Sequence, residues 1–300
     1  MIYSQNIIFG AFLALLAEFL FTTMGALVKL LTESVPFELV VFYRNFFALL
    51  LIAPFAIAKD KDLFKTPAMK WHFIRSILGV SAMFCFFYAI ANIELAYAAL
   101  LKLTSPLFIP FVACFLLREK LPVAIRFATA VGFLGVILVL NPEAGVKIAA
   151  LVGILGGLLA GVAKVTIRKM SQTEPTLRIV FYFALISTLI SGALMAATIL
   201  EHPGVLPFSG HYSSLSLTIN EIALLAAVGV VATLAQLCLT RAYAVSQAGM
   251  VGPFTYSSVL FAIIFGWVFW GESITLLALT GALLIIISGI VIIKKQPKSQ

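Results

Sequence analysis

Glu18 lies eleven residues into an apolar run covering 7–31, roughly 16 Å from its start at the rise of an α-helix. Thr22, Gly25 and Lys29 follow at i+4, i+7 and i+11, so one helix face is polar and small. A carboxylate at such depth needs a reason. It suits a proton or a cationic solute group that cancels its charge, or it makes a structural pair with Lys102 or Arg44. Lys102 falls seven residues into another apolar run with Ser105 three residues on, and Pro106 and Pro110 follow. Prolines free carbonyls for a solute, or else kink the helix for close packing. Gly249, Gly252, Pro253, Thr255 and Tyr256 form a second interrupted stretch.

Two stripes recur at helical spacing: Ser81, Cys85, Tyr88 and Asn92, then Thr233, Gln236, Thr240 and Tyr243. Each could line a cavity or hydrogen-bond to a neighbouring helix. The substrate-binding candidates are therefore Glu18, Tyr88, Asn92, Lys102, Ser105, Gln236, Tyr243, Thr255 and Tyr256. Arg44, Glu119 and Glu272 are gating or boundary candidates. Lys164 and Arg241 stand near run ends, where snorkelling accounts for them. Gly153, Gly157 and Gly161 double a GxxxG pattern and read as a packing surface.

Hydrolase or transferase chemistry has nothing to run on in the spans. His72, His202 and His211 fall in or beside loops, and Asp60 and Asp62, the only aspartates, share one loop. No HExxH or GxxxxGK[ST] pattern occurs, so neither a zinc enzyme nor an ATP-driven pump is expected. Cys85, Cys114 and Cys238 all lie in apolar runs, which argues against a disulfide framework or a metal site. No cofactor is expected, and energy must come from gradients, with protons the candidate coupling ion.

The elements that position these groups follow from composition. At 62% hydrophobic and 11% charged, the chain has too few charges to coat a water-soluble domain, and the bilayer is its solvent. Ten apolar runs are expected as spans: 7–31, 37–58, 71–92, 95–117, 122–140, 148–168, 176–200, 219–243, 247–270 and 274–293. The first is too long for a signal-peptide core and is read as a retained span. The net charge of +8 comes from short basic clusters between spans rather than from a nucleic-acid surface. With a cytoplasmic N-terminus, fifteen basic residues fall inside and only Lys29 and Lys147 outside, as the positive-inside rule requires. Arg75 belongs to the first inner cluster, with Lys59, Lys61, Lys65 and Lys70.

The chain also repeats itself. Gly10, Leu15, Leu16 and Ala17 recur as Gly153, Leu158, Leu159 and Ala160, and Cys85, Ala89, Phe108 and Glu119 as Cys238, Ala242, Phe261 and Glu272. The basic loops of one half correspond to uncharged loops of the other. Five spans per half is odd, so the second half must sit upside down. The expected fold is an all-α polytopic membrane protein of two inverted five-helix repeats, residues 1–141 and 142–300.

The two five-helix halves, the run PFELVVFYR from Pro36 to Arg44, and Glu119 and Glu272 closing the fourth and ninth spans carry a resemblance. Together they resemble the EamA-like branch of the drug/metabolite transporter superfamily. That resemblance implies ten helices, cytoplasmic termini and a central cavity lined mainly by helices 1, 3, 4, 6, 8 and 9. It also implies solutes that include amino acids, nucleotide-derived metabolites and drugs. Arg118 departs from the family's usual glycine, and Phe183 stands where an arginine would repeat Arg44.

The expected function is alternating-access secondary transport of a small polar or amphipathic metabolite across the plasma membrane, in a bacterium the inner membrane. An amino acid or a nucleoside-like derivative such as S-adenosylmethionine is the leading substrate. Arg44, Lys102 and Lys164 outnumber Glu18, which favours a zwitterion or a carboxylate-bearing solute. The alternatives are a passive channel or facilitator and a drug exporter of the same family. The expected partners are that solute and the lipid bilayer.

Overall fold

The computed structural model describes residues 7–105, 107–108, 123–140, 147–171, 173–201, 205–206, 210–211, 217–245 and 257–295. The described residues form ten helices. They are α1 (Ile7–Leu31), α2 (Phe37–Lys59), α3 (Met69–Asn92), α4 (Leu95–Lys102) and α5 (Val123–Leu140), then α6 (Ile148–Met170), α7 (Thr176–Glu201), α8 (Ile219–Val245), α9 (Ser257–Trp270) and α10 (Leu276–Lys295). Between α7 and α8, β1 (Val205–Leu206) and β2 (Gly210–His211) pair antiparallel. This small hairpin was not anticipated in a chain read as wholly helical.

Six of the helices are long and apolar enough to cross a membrane: α2, α3 and α8 over their whole length, and α1, α6 and α7 over most of theirs. Shorter apolar helical segments lie within α5, α9 and α10. A helix satisfies its own backbone hydrogen bonds, which is why helices suit a hydrocarbon solvent. Large apolar side chains such as Phe12, Leu50, Phe127, Trp267 and Leu283 point outward. The chain is a multi-pass membrane protein.

Two expected spans are only partly covered by the described residues. The 95–117 run opens as α4, which ends at Lys102; Leu103 caps it, and the Thr104 hydroxyl donates to the Leu101 carbonyl at 2.7 Å. A proline at 106 has no N–H to offer the Lys102 carbonyl. The charged Lys102 thus stands at a helix C-terminus, where the dipole favours a cation. The 247–270 run appears as α9 from Ser257 onward, with Thr255, Tyr256 and the glycines before them outside the described residues.

Helix pairing follows a regular scheme. α1 packs along α8 and α3 along α6; α2 packs on α7 and α5 on α10. α2 meets α8 as α3 meets α7, and α1 meets α9 as α4 meets α6. Small residues permit the close approaches. A Cβ on Gly156 would lie 2.9 Å from the Cys85 Cβ, and one on Gly157 would lie 3.0 Å from the Leu101 carbonyl oxygen. The α6 glycine surface therefore seats that helix against both α3 and α4.

Candidate functional site

Packing α6 across α3 and α4 leaves a cavity of about 140 Å³. Glu18, Phe21 and Met24 enter it from α1, Arg75, Gly79, Met83 and Phe86 from α3, and Gly153, Gly157 and Lys164 from α6. Arg44 of α2, Lys102 of α4, Phe183 of α7 and Gln236 of α8 complete most of the wall. Among the described residues the wall is otherwise apolar, and the exceptions are one carboxylate, four cations and one amide.

Glu18 is buried and faces the Lys102 ammonium, with Oε2 to Nζ at 3.4 Å. Of the two partners open to it, the structure pairs it with Lys102. The ammonium also lies 5.1 Å from the Phe21 ring centre and 5.7 Å from that of Phe86, within cation–π range. The Thr22 hydroxyl donates back to the Glu18 carbonyl at 2.8 Å, so this part of the polar α1 face is spent on the helix itself. Arg44 donates to the Asn45 side-chain oxygen at 2.7 Å and reaches no carboxylate among the described residues.

Two cavity residues correct the sequence analysis. Lys164 lines the cavity rather than snorkelling at a helix end, and Arg75 lines it rather than belonging to a loop cluster. Arg75 is buried six residues into α3, and Gly79, one turn on, leaves its guanidinium room. No signal in the α3 sequence marks it, because a cation near the end of an apolar run reads the same whether it snorkels or turns inward.

Tyr88, Asn92, Ser105 and Tyr243 lie away from the cavity wall. Tyr88 packs edge-on against Phe37 at 5.5 Å, and exposed Asn92 donates to the Tyr88 carbonyl at 2.7 Å. Tyr243 packs against the small buried cluster of Ala14 and Ala242. Ser105 is buried, and its hydroxyl finds no hydrogen-bond partner among the described residues. Glu119, Thr255 and Tyr256 lie outside the described residues. Gln236 reaches the wall, where its Nε2 has no partner among those residues.

Glu272 makes a built junction. Gly271 adopts φ +63° just past α9, a left-handed helix stop open to glycine, and this turns Glu272 back beside Gly266. The carboxylate pairs with Lys29 of α1 and accepts the backbone N–H of Leu95 at 3.1 Å and of Ala96 at 3.5 Å. Those N–H groups open α4 and have no partner within the helix. One carboxylate thus ties α1, α4 and α9 together.

A second junction joins the 60–68 loop to α7. Arg178 makes two parallel bonds to Asp60, both at 2.7 Å, and a third to Glu174 at 3.0 Å. Thr66 donates to Glu174 at 2.6 Å. The bonds from Arg178 hold the Asp60 carboxyl below the usual carboxylate range. The resulting stability is present at neutral pH and lost as pH falls through that lowered value.

The profile of the EamA-like transporter family matches twice, over residues 8–141 and 147–294. The chain is 33% identical to the pseudopaline exporter CntI of Pseudomonas aeruginosa, over 93% of this chain and 94% of that protein. It is 26% identical to a riboflavin transporter of Rhizobium johnstonii, covering 97% and 93% of the two chains. An S-adenosylmethionine uptake transporter of Rickettsia bellii is 24% identical over 87% and 84%. A protein of known crystal structure shares the fold at a TM-score of 0.65 and 20% identity, covering 94% of this chain and 95% of that one. Matched in both halves and along nearly its whole length, the chain belongs to the EamA-like transporter family.

Proposed function

We propose that this protein is a secondary carrier of a small zwitterionic metabolite, with the cavity between α1, α3, α4 and α6 as its substrate site. An amino acid or an amino-acid derivative of the S-adenosylmethionine kind is the leading solute class. The observation that carries this reading is the cavity wall. It sets the Glu18–Lys102 pair and Lys164 beside aromatic and thioether side chains, which suits a solute with charged ends and an apolar or planar body. The relatives named for S-adenosylmethionine and riboflavin transport support small organic solutes.

Alternating access between two inverted halves, residues 1–141 and 142–300, is the mechanism we infer. The helix contacts support it. Exchanging each helix of the first five for its counterpart in the second turns α1 on α8 into α6 on α3, and both pairs occur. The same exchange leaves α2 on α7 and α5 on α10 unchanged. The twofold family match also supports two equivalent halves. Ten spans, cytoplasmic termini and a bacterial inner membrane complete the reading, on the strength of the basic-residue asymmetry.

An untargeted comparison of metabolites inside and outside cells, with and without the protein, tests it. The expected result is a shift of at least several-fold, across the membrane, in one or a few zwitterionic solutes. Equal partition of every solute in the two strains would contradict it.

A further inference from the structure

Arg44 and Arg75 come from different helices, yet both guanidiniums lie against one ring. Their Cζ atoms stand 5.6 and 4.0 Å from the centre of Phe183 on α7. Both residues are buried and both line the cavity. Neither has a carboxylate partner among the described residues, and neither Nε has an acceptor there. Glu18, the one carboxylate on the cavity wall among the described residues, is paired with Lys102 instead.

Two buried like charges without a counter-ion are costly, because burial amplifies repulsion and each loses its water. Here the surroundings maintain the arrangement. Asn45 fixes one Arg44 nitrogen at 2.7 Å. Gly79 leaves space that a side chain would fill, since a Cβ there would lie 2.7 Å from the Phe183 ring. The ring holds the two planar groups at its face and supplies no charge to neutralise them.

We propose that Arg44 and Arg75 form a carboxylate-binding subsite, in which the anionic group of the solute supplies the missing counter-charge. Guanidiniums offer paired N–H donors whose spacing matches a carboxylate. With the Glu18–Lys102 pair along the same wall, the cavity then takes a solute whose carboxylate faces α2 and α3 and whose amine faces α1. The proposal rests on the carrier reading above, but the two fail separately: a carrier can move solutes without preferring anions, and a protein can bind carboxylates without moving them.

Three four-carbon probes of matched length and different charge test it on the purified full-length protein. They are succinate, neutral succinamide and cationic putrescine, each titrated at constant ionic strength while thermal unfolding is followed. Succinate is expected to raise the Tm saturably by several degrees, with succinamide and putrescine giving no comparable rise. Arg75→Gln and Arg44→Gln should weaken the succinate response at least ten-fold, and Arg75→Lys, which keeps the charge, should retain part of it. The charge comparison on the unmodified protein stands even where a variant does not fold. Equal responses to all three probes, no response to succinate, or an Arg75→Gln protein that responds as the unmodified one does would overturn the proposal.

Discussion

Replacing Glu18 with glutamine is expected to abolish gradient-driven accumulation of the solute while leaving the protein folded. Glutamine keeps the side-chain shape and a carbonyl that can accept from Lys102, but it cannot exchange a proton or neutralise a cationic group. A carrier reorients at lower cost when its site is neutral, so a carboxylate whose charge is cancelled once per cycle is suited to coupling. Lys102 retains 20% of its side-chain exposure and stands at a helix C-terminus. Losing the pair should therefore lower stability by about 1–2 kcal/mol rather than by the full penalty of a stranded buried charge. Uptake by cells or vesicles should fall at least ten-fold, and its pH dependence should flatten. If Glu18 serves only to satisfy Lys102, the outcome differs. The single change would then act only through its cost in stability and leave the pH dependence of uptake unchanged, and a second change, Lys102→Met, would restore both stability and transport. A well-folded Glu18→Gln protein that concentrates solute with unchanged pH dependence would remove the coupling role.

Glu272→Ala is expected to produce a large stability loss, about 3–5 kcal/mol, because it strands groups that have no alternative partner. Lys29 would remain at 16% exposure without its counter-ion, held only by the Trp270 ring 5.3 Å away. The first N–H groups of α4 would lose their acceptor. Thermal unfolding of the purified protein measures the effect. Glu272→Gln should cost less, since an amide oxygen still caps α4, and Lys29→Met in the Glu272→Ala background should recover part of the loss. An Ala variant as stable as the unmodified protein would show that the junction carries no energy.

Much of this arrangement was legible because the bilayer simplifies the code. Apolar length placed α1 at its observed bounds and the other long helices to within a few residues, since lipid penalises any exposed backbone. Depth also singled out Glu18 and Lys102, which the structure brings together. What periodicity could not tell was which face of a helix meets which neighbour. The α3 stripe through Cys85 and Tyr88 is the packing face, with Cys85 against Gly156. The adjacent face, through Arg75, Gly79, Met83 and Phe86, lines the cavity. Both faces are apolar enough for lipid, so nothing in the α3 pattern alone separates them. Arg75 and Lys164 were missed because a cation near the end of an apolar run has the same sequence signature whether it snorkels or turns inward. Phe183, noted as a departure from an arginine repeat, is the ring on which the two guanidiniums meet.

The central claim is that the cavity carries a solute by a coupled, saturable cycle. Transport by the purified protein reconstituted in liposomes tests this most directly, using the solute identified from the cellular comparison and an imposed proton gradient. The account predicts saturable accumulation beyond the equilibrium level, collapsing when the gradient is dissipated. Non-saturable flux that only equalises the two sides, with or without the gradient, would contradict it and identify a passive channel instead.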